Sequence, residues 1–285
     1  MPDVRFDDGL AAITPPDAWE LVAEGLGFTE GPLWHPDGSL LFSDTPGGRI
    51  CQVRDGALGT YRDLAGDGPV GMTLDLLGRL LVCMQDGRWV GRERGGRIEP
   101  IATHYDGRRL NSPNDIVVRS DGRVFFTDPP YGLKDESERE LPYNAVFTLS
   151  PAGELRPLVT DFEKPNGLAF SVDERTVYVA DTARHHVRAF DVAADGSLGA
   201  GRVFAEMREE GRPDGMKLDR EGRLYVCAGS VQVFAADGAP LGVIDCPQSP
   251  ANCAWGEDGS TLFITARTSV YKTRLETRGI APHLR

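Results

Sequence analysis

The sequence predicts an all-β fold: a six-bladed β-propeller with four-stranded blades. Three observations predict it. One strand–turn–strand phrase recurs six times along the chain. The copies lie 37 to 52 residues apart, the spacing of propeller blades built from short strands. Within each copy the residues two and four places on from a common reference point are apolar or proline, the period-two alternation of a strand with a buried face.

The copies, in order, are TEGPLWHPDGSLLFSD (29–44), PVGMTLDLLGRLLVCMQD (from Pro69), PNDIVVRSDGRVFFTD (113–128), PNGLAFSVDERTVYVAD (165–181), PDGMKLDREGRLYVCAG (213–229) and PANCAWGEDGSTLFITA (from Pro250). Taking Glu30 as position zero, the register aligns Glu30, Val70, Asn114, Asn166, Asp214 and Ala251. Position two holds Pro32, Met72, Ile116, Leu168, Met216 and Cys253. Position four holds Trp34, Leu74, Val118, Phe170, Leu218 and Trp255. Asp37-Gly38, Asp121-Gly122 and Glu221-Gly222 then supply turns to a second apolar strand, a hairpin signal. Arg49–Arg54, 145–149 and His186–Asp191 read as further strands. The last copy offers only three strands, ending at 269–275, so Glu20–Ala23 is predicted to complete that blade and close the ring without an exposed edge. Because no blade can bury both faces alone, residues 1–285 are predicted to form one domain.

The chain carries 31 basic and 43 acidic residues, a net charge of −12. That balance disfavours nucleic acid and anionic membranes as partners. No apolar run approaches the length of a membrane span, and the N-terminal residues lack a basic-then-apolar secretory pattern. The five cysteines, at 51, 83, 227, 246 and 253, form no CxxC pair. They predict reduced, mostly buried thiols and a cytoplasmic location. The polar, proline-bounded stretch 129–142 is predicted to be a long loop over a functional face.

In a ring of repeats, equivalent positions converge on the axis. Four of the six position-zero residues are polar: Glu30, Asn114, Asn166 and Asp214. A lone Asn or Asp near a turn commonly just bonds backbone. Four at one symmetry-related position, with apolar residues following, point instead to a shared site. Two buried carboxylates facing each other repel unless a cation or a proton intervenes. An all-oxygen set of this kind suits Ca²⁺, Mg²⁺ or Mn²⁺ better than structural zinc. Asp44, Asp128 and Asp181, which recur after the second strand, read as strand-end turn formers. His185 and His186 are adjacent in a strand and face opposite ways, so they do not form a ligand pair. Asn252 falls one residue out of phase and is not a ligand. Gly25-Leu26-Gly27 lacks the rest of a dinucleotide fingerprint. Four protein ligands would leave room on the cation for a carbonyl oxygen and a water, the requirements of ester or lactone hydrolysis, with Asp214 as the candidate base.

The phrases around these residues resemble the SMP-30/gluconolactonase/LRE family: Glu30 in TEGPLW, Asn114 in LNSPNDIVV, Asn166 in KPNGLAF, Asp214 in RPDGMKLD, and FFTDPPYGL as in its bacterial sugar-lactonase branch. The resemblance runs from about Glu20 to Leu275. It implies a six-bladed propeller holding one divalent cation, Ca²⁺ first, with Mg²⁺, Mn²⁺, Zn²⁺ or Fe²⁺ as alternatives. It also implies hydrolysis of aldonolactones such as gluconolactone. By position, Glu30, Asn166 and Asp214 match the family's metal ligands and Asp214 its general base. Asn114 matches a residue that touches metal, substrate or both. Ser112 stands where animal members carry a sugar-binding Arg, leaving Arg109, Asn111 and Tyr131 as substitute substrate contacts. Relatives acting on organophosphates share the metal motif, so a phosphotriester or a non-sugar lactone is the alternative substrate. A propeller scaffold with a structural cation is the alternative of a different class.

Overall fold

The computed structural model describes residues 4–14 and 19–280. Each of the six predicted copies forms the two inner strands of a separate antiparallel sheet. Blade I comprises Thr29–Trp34, Leu40–Asp44, Arg49–Arg54 and Ala57–Asp63; blade II, Pro69–Leu74, Leu80–Met84, Trp89–Arg94 and Arg97–Ala102. Blade III is Ile116–Val118, Val124–Asp128, Asn144–Leu149 and Leu155–Phe162; blade IV, Pro165–Phe170, Thr176–Asp181, His186–Asp191 and Arg202–Glu206. Met216–Leu218, Leu224–Cys227, Val231–Phe234 and Pro240–Ile244 make blade V. Blade VI is Pro250–Gly256, Thr261–Ala266 and Ser269–Arg274.

Ring closure is as the sequence predicts. Glu20–Ala23 pairs antiparallel with Ser269–Arg274, Glu20 opposite Lys272 and Ala23 opposite Val270. A second N-terminal piece was not foreseen: Val4–Arg5 adds a fifth strand to the outer edge of blade V, Val4 opposite Ile244. Two residues paired at an edge carry little periodicity to read.

The core lies between the blades. Among the described residues it divides into six apolar clusters, one per pair of neighbouring blades. Blades V and VI meet through Tyr225 and Trp255, their rings 5.1 Å apart and edge to face. Phe125 of blade III meets Phe170 of blade IV at 5.0 Å in the same geometry. Each such fully buried side chain contributes about 1.5–3 kcal/mol, so the alternation read in the sequence also holds the ring together.

At the axis, neighbouring inner strands come close enough to touch through backbone. Gly71 N–H donates to the Asn114 carbonyl at 2.8 Å, and Gly215 N–H to that of Ala251 at 2.8 Å. The residue after position zero is glycine in four blades because a side chain has no room. A Cβ at Gly31 would lie 2.0 Å from the Val70 oxygen, and one at Gly167 would lie 2.1 Å from that of Asp214. Only Asp115 and Asn252 break this pattern.

Candidate active site

A cavity of about 870 Å³ opens at the axis, and all six position-zero residues line it: Glu30, Val70, Asn114, Asn166, Asp214 and Ala251. The convergence inferred from register is therefore physical. Tyr131, from the 129–142 loop, lines it too. Arg5, Arg212 and Arg267 stand among its lining residues, with Glu209, Glu210 and Asp245. Arg5 is already engaged, reaching Asp245 and Glu209 at 2.7 Å each.

Three of the four polar groups, those of Glu30, Asn166 and Asp214, are held by their own neighbours. Glu30 Oε2 accepts from Gly31 N–H at 2.5 Å and from Asn252 Nδ2 at 3.0 Å, which leaves Oε1. The Asn166 amide nitrogen donates to Thr182 Oγ1 at 3.0 Å and Tyr131 Oη at 3.2 Å, and the same amide hydrogen-bonds the Asp214 carboxylate. With its donors occupied, its oxygen is the atom left for another partner. Thr182 Oγ1 in turn donates to the Pro213 carbonyl at 2.7 Å, tying blade IV to the residue before Asp214. The Asn114 side chain has no hydrogen-bond partner among the described residues, while its backbone is fixed by Thr127 and Gly71.

The electrostatics are those of a site short of positive charge. Burial, then the charge of Asp115, pushes Glu30 up to about 7. Burial, then the charges of Glu30 and Asp115, hold Asp214 well above the ordinary carboxylate range. Burial raises Asp115 as well, against the opposing charge of Lys217. Among the described residues no three His, Cys, Asp or Glu side chains cluster as metal ligands. A cation here would need the two amides to complete its shell. The donor set fits one: the Glu30 and Asp214 carboxylates, the Asn166 oxygen and the uncommitted Asn114 amide are all hard-oxygen ligands.

Two predicted substrate contacts lie elsewhere. Asn111 is fully buried and does not line the cavity. Its backbone N–H donates to Asp128 Oδ2 and its amide to the Tyr143 carbonyl at 2.9 Å. Arg109 ends a short hairpin of His104–Tyr105 and Arg108–Arg109 and lines a separate surface hollow, donating to the Gly87 carbonyl. Ser112 Oγ accepts from Gly132 N–H at 2.7 Å, pinning the loop that carries Tyr131. Asp44, Asp128 and Asp181 hold the backbone N–H groups of Gly27, Ser112 and Lys164, just ahead of the position-zero residue of the same blade. His185 and His186 do not reach the cavity. Sequence reasoning passed over Asp115 and Lys217, and set Asn252 aside. Asp115 and Asn252 had a signal, being the two non-glycine residues at a position otherwise kept as glycine.

Comparison with known proteins agrees with this geometry. Residues 28–268 match the family model described as an SMP-30/Gluconolactonase/LRE-like region. A gluconolactonase of Zymomonas mobilis is 35% identical, the match covering 96% of this chain and 85% of the relative. A solved gluconolactonase from Xanthomonas campestris superposes with a TM-score of 0.89 at 34% identity, over 96% of this chain and 95% of that one. A solved calcium-binding regucalcin from Agrobacterium tumefaciens shares the fold, with a TM-score of 0.78 at 18% identity over 93% and 96% of the two chains. With a family model spanning most of its length and two gluconolactonases more than 30% identical, the chain belongs to the SMP-30/gluconolactonase/LRE-like family.

Proposed function

We propose that the chain is a divalent-cation-dependent lactonase that opens aldonolactones of the gluconolactone type, with Asp214 as general base. The observation that carries the reading is the meeting of Glu30, Asn114, Asn166 and Asp214 in one cavity, with two carboxylates that burial and repulsion leave short of a counter-charge. The gluconolactonase relatives support the substrate class, and the calcium-binding relative supports Ca²⁺ as first choice of ion.

When bound, a divalent cation supplies the polarisation of the lactone carbonyl. Glu30, Asn166 and Asp214 would hold it, with Asn114 completing the shell or meeting the substrate. Asp214 takes a proton from the attacking water as the new C–O bond forms at the carbonyl carbon. The ring C–O bond then breaks, and the proton passes to the departing ring oxygen to give the open hydroxy acid. Asn166, fixed by Tyr131 and Thr182, keeps Asp214 oriented throughout. The sugar hydroxyls meet the polar cavity wall, where Tyr131 is the nearest match to a substrate contact.

The test is a panel of gluconolactone, xylonolactone, a non-sugar lactone and a phosphotriester, run with Ca²⁺, Mg²⁺, Mn²⁺ or Zn²⁺ after chelation. Acid release is followed with a pH indicator. Aldonolactone opening that disappears on chelation and returns with one of these ions is the expected result. Hydrolysis that persists in excess chelator would remove the cation from the reading. A fully folded protein that opens no lactone would leave a binding scaffold.

A further inference from the structure

We propose that Asn252 and Lys217 form a second polar layer beneath the site, which orients Glu30 and reduces the negative charge of the channel to that of a divalent-ion site. The inference rests on the cation reading above. Glu30 lines the main cavity, whereas Lys217 lines a second cavity of about 360 Å³ farther along the same inner strands. Asn252 lines neither, is 2% exposed and bridges the two. Its Oδ1 accepts from Cys253 N–H at 2.9 Å and from Lys217 Nζ at 3.4 Å. Its Nδ2 donates to Glu30 Oε2 at 3.0 Å. With donors on its oxygen side and a carboxylate on its nitrogen side, the amide has one sensible orientation. Lys217 Nζ also donates to the Met216 carbonyl at 3.0 Å, so the ammonium is anchored on its own strand.

The layer has been given space. Gly215 follows Asp214, and a Cβ there would lie 2.0 Å from the Asn252 side chain. Asp115, 3% exposed, is the other side chain at this level, held by Ile116 N–H at 2.9 Å and Leu168 N–H at 3.3 Å. Three carboxylates thus share the channel with one ammonium. Ionised, Glu30, Asp115 and Asp214 set against Lys217 leave a net charge of about −2, the complement of a divalent ion. The two residues therefore act in opposite senses. Asn252 holds a ligand in place, and its loss weakens cation binding. Lys217 opposes the cation, and its loss tightens binding.

That opposition is the test. Calorimetric titration with Ca²⁺ and with Tb³⁺ after chelation, alongside thermal melts, should show Asn252→Ala binding Ca²⁺ about tenfold more weakly, as outer-sphere partners of metal ligands do. Lys217→Gln should bind Ca²⁺ at least about threefold more tightly, with a larger gain for Tb³⁺. Lys217→Arg should keep the wild-type ratio of the two ions. Asn252→Ser and Lys217→Met serve if the first variants do not fold, with the same expectations. Parallel weakening in both variants, tracking a loss of melting temperature, would overturn the proposal, as would unchanged affinities. A wild-type protein that binds neither ion would overturn the cation reading itself, a result separate from both.

Discussion

Two sets of carboxylates can be compared in this molecule. Asp44 and Asp181 sit at the ends of second strands, 2% and 0% exposed. Asp44 takes Gly27 N–H and two contacts from Arg49; Asp181 takes Glu163 and Lys164 N–H and one from Arg184. Glu30 and Asp214 line the channel with comparable numbers of backbone and amide donors but, among the described residues, no arginine against either. Glu30 is buried like the first set, Asp214 is half-buried at the cavity wall, and neutral donors are similar. The difference is the counter-charge: an arginine touches each carboxylate of the first set, whereas among the described residues the second set shares only Lys217, which reaches Asn252 rather than either carboxylate. A carboxylate with its own cation serves the fold, and two facing carboxylates without one are arranged for something that arrives from outside.

The widest separation between the sets should appear on removing a channel carboxylate. Asp214→Asn and Glu30→Gln should each lower lactone hydrolysis by about 10³-fold or more, since each removes a proposed ligand and the first also removes the base. In chelator the same variants should melt no lower than the wild type, because each relieves a buried repulsion. A large activity loss accompanied by an equally large stability loss would collapse the comparison.

Asp181→Ala should do the reverse. It strands the N–H groups of Glu163 and Lys164, at a cost of about 2–4 kcal/mol in urea unfolding. Arg184 adds little, being well exposed and screened. Activity per folded molecule at low temperature should survive, although Lys164 lies two residues before Asn166 in sequence.

A smaller effect distinguishes the sets by pH. Glu30 sits at about 7 in the cation-free protein, above its ordinary value of 4.5. The folded state therefore binds more protons than the unfolded one between those values, and stability falls as pH rises from about 4.5 through 7. Asp128 behaves alike, pushed up to about 7 by burial with two backbone donors and, among the described residues, no arginine in contact. Ca²⁺ separates the two. Melting curves from pH 5 to 8 in chelator should decline, and Ca²⁺ should restore the Glu30 share while leaving that of Asp128, which Asp128→Asn would remove.

The parts of this comparison legible in the sequence were those that repeat. Six alternating copies gave the blades, and register gave Glu30, Asn114, Asn166 and Asp214 because symmetry turns a sequence position into a place on the axis. The strand-end Asp residues were legible for the same reason. Asn252 is out of phase with the residues that line the cavity, but a period-two pattern does not show that the side chain beneath Glu30 can reach up to it. Lys217 was hidden because position three faces a cavity whose existence depends on how closely six strands approach. Val4–Arg5 was hidden because two edge residues have no period at all.

Arg109 marks the limit of reading by sequence neighbourhood, and its variant should show the smallest effect. It was a candidate substrate contact as a substitute for the sugar-binding Arg of animal relatives, whose place Ser112 takes three residues on. In the fold the intervening residues turn inward through Leu110 and Asn111, both fully buried, while Arg109 stays on the outer hairpin with its Nη2 on the Gly87 carbonyl. Asp128 draws the N–H groups of Asn111 and Ser112 to itself at 2.8 and 2.7 Å, which fixes that inward turn. Arg109→Ala should therefore leave kcat/KM for an aldonolactone within about twofold and cost about 0.5 kcal/mol or less, as a surface substitution does. Tyr131, from a loop farther away in sequence, does line the cavity. A tenfold rise in KM in Arg109→Ala would mean that the hairpin folds over the substrate, and the divide between rim and channel would then have to be redrawn to include it.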